Sequence, residues 1–110
     1  MVSPREIRAF IKRVHLALSQ CKYNILEFRQ SYFDTVAQLG ITEQDVINDI
    51  DSLTEQENWI SERDNNRSFP GFVWICKKHL HGETIYVKLK FPPKSDELLI
   101  MSYHIDHPPE

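Results

Sequence analysis

The stretch Phe72–Phe91, FVWICKKHLHGETIYVKLKF, decides the fold. It reads as two strands, FVWICKKHL and ETIYVKLKF, joined by a two-residue turn at His81-Gly82, where glycine accepts positive φ. Placing Leu80 and Glu83 beside the turn sets the register. His79 then faces Thr84, Lys77 faces Tyr86, Ile75 faces Lys88 and Val73 faces Lys90, all on one side of the sheet. Cys76 with Val87, Trp74 with Leu89 and Phe72 with Phe91 point to the other. The second side is apolar and needs a core to cover it. The first collects Lys77, His79, Tyr86, Lys88 and Lys90. A slip by one residue would bury Tyr86, Lys88 and Lys90 together, which is costly. Lys78 falls on the apolar side near the turn, where its stem can carry the ammonium to water.

Downstream, ELLIMSYH reads as a third strand, in which Leu98 to Met101 is continuously apolar. Parity places Ser102 and His104 on one face and Met101 and Tyr103 on the other, so His104 looks toward the lysines. Upstream the chain reads helical. Ser3, Pro4 and Glu6 form a helix start, and Ile7, Phe10, Ile11, Val14, Ala17, Leu18 and Cys21 make one apolar stripe. A second stripe runs through Ile25, Phe28, Tyr32, Val36 and Leu39, closed by Gly40. ITEQD (Ile41–Asp45) and LTEQE (Leu53–Glu57) each place Thr three residues before an acid, which predicts a helix start at both. The second of these helices is short and carries Trp59 and Ile60. SERDNNRSFPG is a polar loop. The expectation is an α+β fold, one domain over residues 1–110, with a helical part at 3–60 and a sheet part at 72–104. The N-terminal helices would cover one face of a small C-terminal antiparallel sheet.

Composition narrows the function. Apolar residues make up 41% of the chain, enough for a real core rather than a disordered segment. No apolar run has the length of a membrane span. The first residues carry charges through their apolar positions, unlike a secretory signal, so a cytoplasmic location is expected. Cys21 and Cys76 lie far apart and read as buried or partly buried thiols in a reducing compartment. The chain is acidic, with 13 Lys+Arg against 16 Asp+Glu. Yet five of its seven lysines fall between Lys77 and Lys94, with Glu83 as the one acid among them. A positive strip on an acidic body can attract a polyanion, because salt screens fields beyond about 8–10 Å. The bland reading is a half-solvated sheet with lysines for solubility. The lack of balancing acids, and the presence of Tyr and His, which transfer protons near neutral pH, favour a working face.

Three segments resemble a known family: LGITEQDVINDIDSLTEQE, then VWICKKHLHGETIYVKLKF, then LLIMSYH. Their order and spacing are similar to the MqsR-type toxins of bacterial type II toxin–antitoxin systems, RelE-like endoribonucleases. The likeness runs from Leu39 to His104. It implies cleavage of messenger RNA without a metal or other cofactor, inhibition of translation, and a cognate antitoxin protein as partner. The ribosome is a further candidate partner. By position, Tyr86 and Lys88 match the tyrosine and basic residue of the Y-x-K strand, His104 matches the basic residue of the closing motif, and Lys77 and Lys78 match the lysine pair. The acidic chain and the long Pro92–Asp96 connection depart from the pattern.

Metal-free RNA cleavage uses the substrate's own 2′-OH to attack the adjacent phosphate. The residues can be assigned on that basis. His104 transfers a proton, as acid, with Tyr86 as its partner or as a phosphate donor. Lys77 and Lys88 stabilise the phosphorane. Lys90 and Lys94 position the RNA backbone, Lys78 belongs to the same binding set, and His79 assists at the rim. Two other classes compete. One is a non-catalytic RNA- or protein-binding module that uses the cationic face. The other is a metal-dependent hydrolase built on His79, His81, His104 and His107. No Gly-rich phosphate loop, nucleotide motif or nucleophile elbow is present.

Overall fold

The computed structural model describes residues 2–26, 30–63 and 71–106. The described chain is an α+β fold of three helices and five strands. In order these are α1 (Pro4–Ser19), β1 (Tyr23–Ile25), α2 (Gln30–Leu39), α3 (Glu43–Asp51), β2 (Ile60–Arg63), β3 (Phe72–Leu80), β4 (Glu83–Lys90) and β5 (Leu98–Ile105). The strands form one sheet in the order β1-β5-β4-β3-β2. β1 runs parallel to β5 and the other pairs are antiparallel, so the sheet is mixed rather than antiparallel. Among the described residues no helix is long and apolar enough to cross a membrane.

The hairpin has the register expected of it. Leu80 pairs with Glu83, Lys77 with Tyr86, Ile75 with Lys88 and Val73 with Lys90. His81 (φ 54°) and Gly82 (φ 82°) are both left-handed, which matches the twist of the flanking strands. The caps also form. Ser3 Oγ accepts the Glu6 N–H at the start of α1. Thr42 and Asp45 make a reciprocal capping box at α3. The bonds from the Thr42 backbone and hydroxyl hold the Asp45 carboxyl below its ordinary value.

Two predicted helical segments are strands instead. Ile25 does not open α2; it pairs with Ile100 in β1, and its side chain is buried. Phe28, placed in the same stripe, lies outside the described residues. Only half of the Thr54–Glu57 box forms: Glu57 Oε2 accepts both the Thr54 N–H (2.7 Å) and hydroxyl (3.1 Å), while Thr54 Oγ1 accepts from the Gln56 N–H rather than from that of Glu57. No α-helix follows it. Trp59 instead donates Nε1–H back to the Thr54 carbonyl at 2.9 Å and packs edge-on against Phe10 and Trp74. Ile60 then enters β2 opposite Ile75. Of the predicted polar loop, Ser61 to Arg63 belong to β2, and residues 64–70 lie outside the described set.

The third strand holds a β-bulge. Lys88 pairs with Ser102, but its neighbour Leu89 pairs with Ile100, leaving Met101 as the extra residue. The bulge resets the parity of β5. Met101 therefore sits with Leu99, Val73 and Ile75 rather than with Tyr103, against the expectation. Tyr103, Ile100 and Leu98 join the larger cluster, which also holds Phe10, Val14 and Leu18 of α1, Val46 and Ile50 of α3, and Cys76, Val87 and Leu89. Leu98–Met101 is continuously apolar because this strand is buried on both sides.

α2 lies along the part of β5 that β1 leaves uncovered. The Ile105 N–H donates to Thr35 Oγ1 at 2.9 Å, a buried hydrogen bond that substitutes for a strand partner. α3 is tied to the sheet by a partly buried polar contact. Asp49 Oδ2 accepts from the Tyr103 hydroxyl (2.5 Å) and from His81 Nε2 in the hairpin turn (2.7 Å). Burial first, and then the bond to Asp49, hold the Tyr103 phenol above its ordinary value.

Candidate functional site

One rung of the sheet brings three of the predicted catalytic residues side by side. Lys77 on β3 pairs with Tyr86 on β4, and Tyr86 pairs with His104 on β5. Paired residues of antiparallel strands point to the same face, with Cβ atoms about 4.5–5.5 Å apart. The Tyr86 and His104 rings stack with centroids 5.0 Å apart and planes 15° from parallel. Lys88 stands on the next rung of the same face, between Ile75 and Ser102. Tyr86, Lys88 and His104 are half-buried, and Lys77 and His79 are exposed.

The hydrogen bond at His104 fixes its tautomer. Nδ1 lies 3.0 Å from the Ile105 carbonyl, which can only accept, so Nδ1 carries the hydrogen. The Nε2 position is then a lone pair in the neutral ring and a donor in the imidazolium.

A carboxylate that the sequence reading missed belongs to this group. Asp106 Oδ2 sits 3.1 Å from Lys77 Nζ, while the Asp106 N–H donates to the Thr84 carbonyl and continues the strand pairing. Parity would have found it, since Asp106 follows His104 by two residues.

The lysines do not form one cationic face, contrary to expectation. Lys90 is 0% exposed, sealed between Val73 and Leu99 on its own rung. Gly71 closes over it. A Cβ on Gly71 would lie 3.6 Å from Lys90 Cε, and the glycine's φ of +118° excludes most other residues. Lys90 therefore cannot present its ammonium to an RNA backbone. Lys78 is on the opposite face, 3.7 Å from Glu57 and 3.4 Å from the Ser52 carbonyl. It stands apart from the rung, as its parity implied. Lys94 lies in the connection after β4, in a left-handed conformation (φ 61°). That connection is pinned to α1 and its C-terminal end by the Lys22–Asp96 ion pair (2.8 Å) and by Arg13, whose Nη2 donates to the Ser95 carbonyl. Lys77 and Lys88 are the lysines placed beside Tyr86 and His104.

The other candidates separate. His81 turns to Asp49 and away from His79, and His107 lies outside the described residues. Among the described residues, no three His, Cys, Asp or Glu side chains are grouped as a metal site requires. Burial, followed by the charge of Glu57, pushes the Cys76 thiol up to about 12. Cys21, expected to be at least partly buried, is exposed. Trp74 stacks on Phe10 at 4.3 Å, as a core residue does.

A pocket of about 320 Å³ opens beside His104. It is lined by Ser31, Asp34, Thr35 and Gln38 of α2 and by His104, Ile105 and Asp106. No known protein family, curated protein or solved structure matches the chain.

Proposed function

We propose that the protein is a metal-independent endoribonuclease acting on messenger RNA. In this reading it is a toxin of MqsR type, with RelE-like helices on the core face of the sheet, restrained by a cognate antitoxin protein. The observation that carries the reading is the Lys77–Tyr86–His104 rung, with Lys88 on the next rung and Asp106 at its end. The set contains what the chemistry needs and no more. The 2′-OH of the RNA attacks the adjacent phosphorus. Asp106, whose Oδ2 is held by Lys77, accepts the 2′ proton. The imidazolium of His104 gives its Nε2 proton to the 5′ leaving oxygen, and a 2′,3′-cyclic phosphate remains. Lys77 and Lys88 stabilise the charge on the phosphorane, and the Tyr86 hydroxyl donates to a phosphate oxygen. Proton transfer of this kind contributes roughly 10²–10⁴-fold. A well-aimed donor or charge contributes on the order of 10²–10³-fold.

The test is cleavage of a labelled messenger-like RNA in EDTA by the wild type and by His104→Ala, Lys88→Ala and Asp106→Asn, with and without ribosomes. The expected result is cleavage by the wild type and a loss of about 10²-fold or more in each variant. Wild-type protein that binds RNA but never cuts it would leave the non-catalytic binding module as the better account. Cleavage that disappears with EDTA would instead favour a metal-dependent enzyme.

A further inference from the structure

The α2 wall of the pocket beside His104 has a chemistry the cleavage reaction does not use. α2 presents Ser31, Asp34, Thr35 and Gln38 at positions i, i+3, i+4 and i+7, which is one face of a helix. Thr35 is committed to the Ile105 N–H. The other three line the opening with a hydroxyl, a carboxylate and an amide. Asp34 Oδ1 accepts from Gln30 at 2.8 Å, which fixes the carboxylate on this exposed face of α2. Among the described residues, no lysine or arginine lines this pocket. Lys77 and Lys88 stand on the sheet next to it.

We infer that this pocket receives the nucleobase attached to the ribose whose phosphate lies on the lysine rung, and that it selects bases bearing an exocyclic amine. The inference rests on the ribonuclease reading above. A carboxylate repels phosphate and accepts N–H, so the two halves of a nucleotide sort themselves between the neighbouring surfaces. The phosphate goes to the lysines and the base to the α2 wall. Adenine, cytosine and guanine offer an amino group to the Asp34 carboxylate; uracil offers a carbonyl there instead. Gln38 can serve either kind of edge, and Asp34 sets the preference. The volume, about 320 Å³, lies at the small end of the roughly 300–1,000 Å³ typical of small-ligand sites.

Cytidine and uridine 3′-monophosphates differ at the decisive position by an amine against a carbonyl. Titrating each into the wild-type protein, followed by backbone amide NMR, reads affinity and location together. The cytidine nucleotide should bind about tenfold more tightly, with shifts at Gln38, Ile105 and Asp106. Asp34→Ala should bring the ratio to near one, whereas Gln30→Ala, which keeps the carboxylate, should preserve it. Lys88→Ala should weaken both nucleotides alike. Equal binding of the two nucleotides by the wild type, or shifts confined elsewhere, overturns the inference. So does tighter binding of N-acetyl-arginine amide than of either nucleotide, lost in Asp34→Ala, which would make this a pocket for a basic protein side chain. The readout needs no turnover. A protein that prefers the cytidine nucleotide but never cleaves RNA keeps the pocket and loses the enzyme. One that cleaves RNA with no base preference loses the pocket alone.

Discussion

The two faces of β3, β4 and β5 are built from the same strands and do different work. On the core face, Cys76, Val87, Leu89 and Tyr103 sit in one buried cluster with residues of α1 and α3. The opposite face divides along its length. At one end Lys77, Tyr86 and His104 keep access to water; at the other Val73, Ile75, Leu99 and Met101 are buried with Lys90. The bulge at Met101 lies where the second face changes character. One extra residue lets β5 place both His104 and Leu99 on this face, opposite Tyr86 and Lys90. Charge in the sequence therefore does not translate into charge at the surface, because the same face exposes one lysine and buries another.

Four measurements would sharpen or break that contrast. The largest effect belongs to the core face: Leu89→Ala should cost about 2–5 kcal/mol in denaturant unfolding, since Leu89 is fully buried. A loss below about 1 kcal/mol would mean that face is loosely packed. Next is Thr35→Val, which leaves the buried Ile105 N–H without its acceptor and should cost about 1–3 kcal/mol.

Third is the alkaline response. The Cys76 thiol has an ordinary value of 9.0 and is raised to about 12 in the fold. A raised value means that its stabilising contribution is complete below pH 9 and is lost as pH rises from 9 toward 12. Unfolding midpoints should fall over that range, and Cys76→Ala should flatten the slope. At pH 8, iodoacetamide should label Cys21 and spare Cys76 in the native protein, as counted by mass spectrometry. The smallest effect belongs to the open end. Lys77→Ala should change stability by no more than about 1 kcal/mol, because the Lys77–Asp106 pair is largely solvated. A larger loss would assign that rung a structural role.

What the sequence made legible follows the range of the interactions involved. The β3–β4 hairpin is specified within twenty residues, by a glycine turn and by alternation, and its register came out as expected from the turn to the Val73–Lys90 pair, while Phe72, expected opposite Phe91 on the core side, pairs with Arg63 of β2 and is exposed. The Tyr86–Lys77 pairing came with it. β1 and β2 were missed because each is three or four residues long and acquires its conformation from a distant partner. Ile25 looks helical until Ile100 pairs with it, and Ile60 until Ile75 does. The LTEQE segment forms half of a capping box, but Trp59 draws the chain into the aromatic cluster and no helix extends. At the site, the proximity of His104 and Tyr86 was legible from parity. The pocket wall of Asp34 and Gln38 was not, since nothing local says that α2 docks on the edge of β5. The burial of Lys90 was equally hidden, because it depends on Gly71 and on the bulge in a third strand.

The strand order has a consequence for how the molecule comes into being. β1 is synthesised well before its partner in the sheet, β5, which lies some seventy residues later. β5 also supplies His104, and Asp106 follows it directly. The sheet is therefore closed and the rung completed by the same late event, over a long loop whose closure slows folding. A nascent chain that has not yet released residues 98–106 holds Lys77 and Tyr86 but lacks their partners. In the ribonuclease reading, the nascent protein cannot cut RNA until β5 and Asp106 have joined Lys77 and Tyr86.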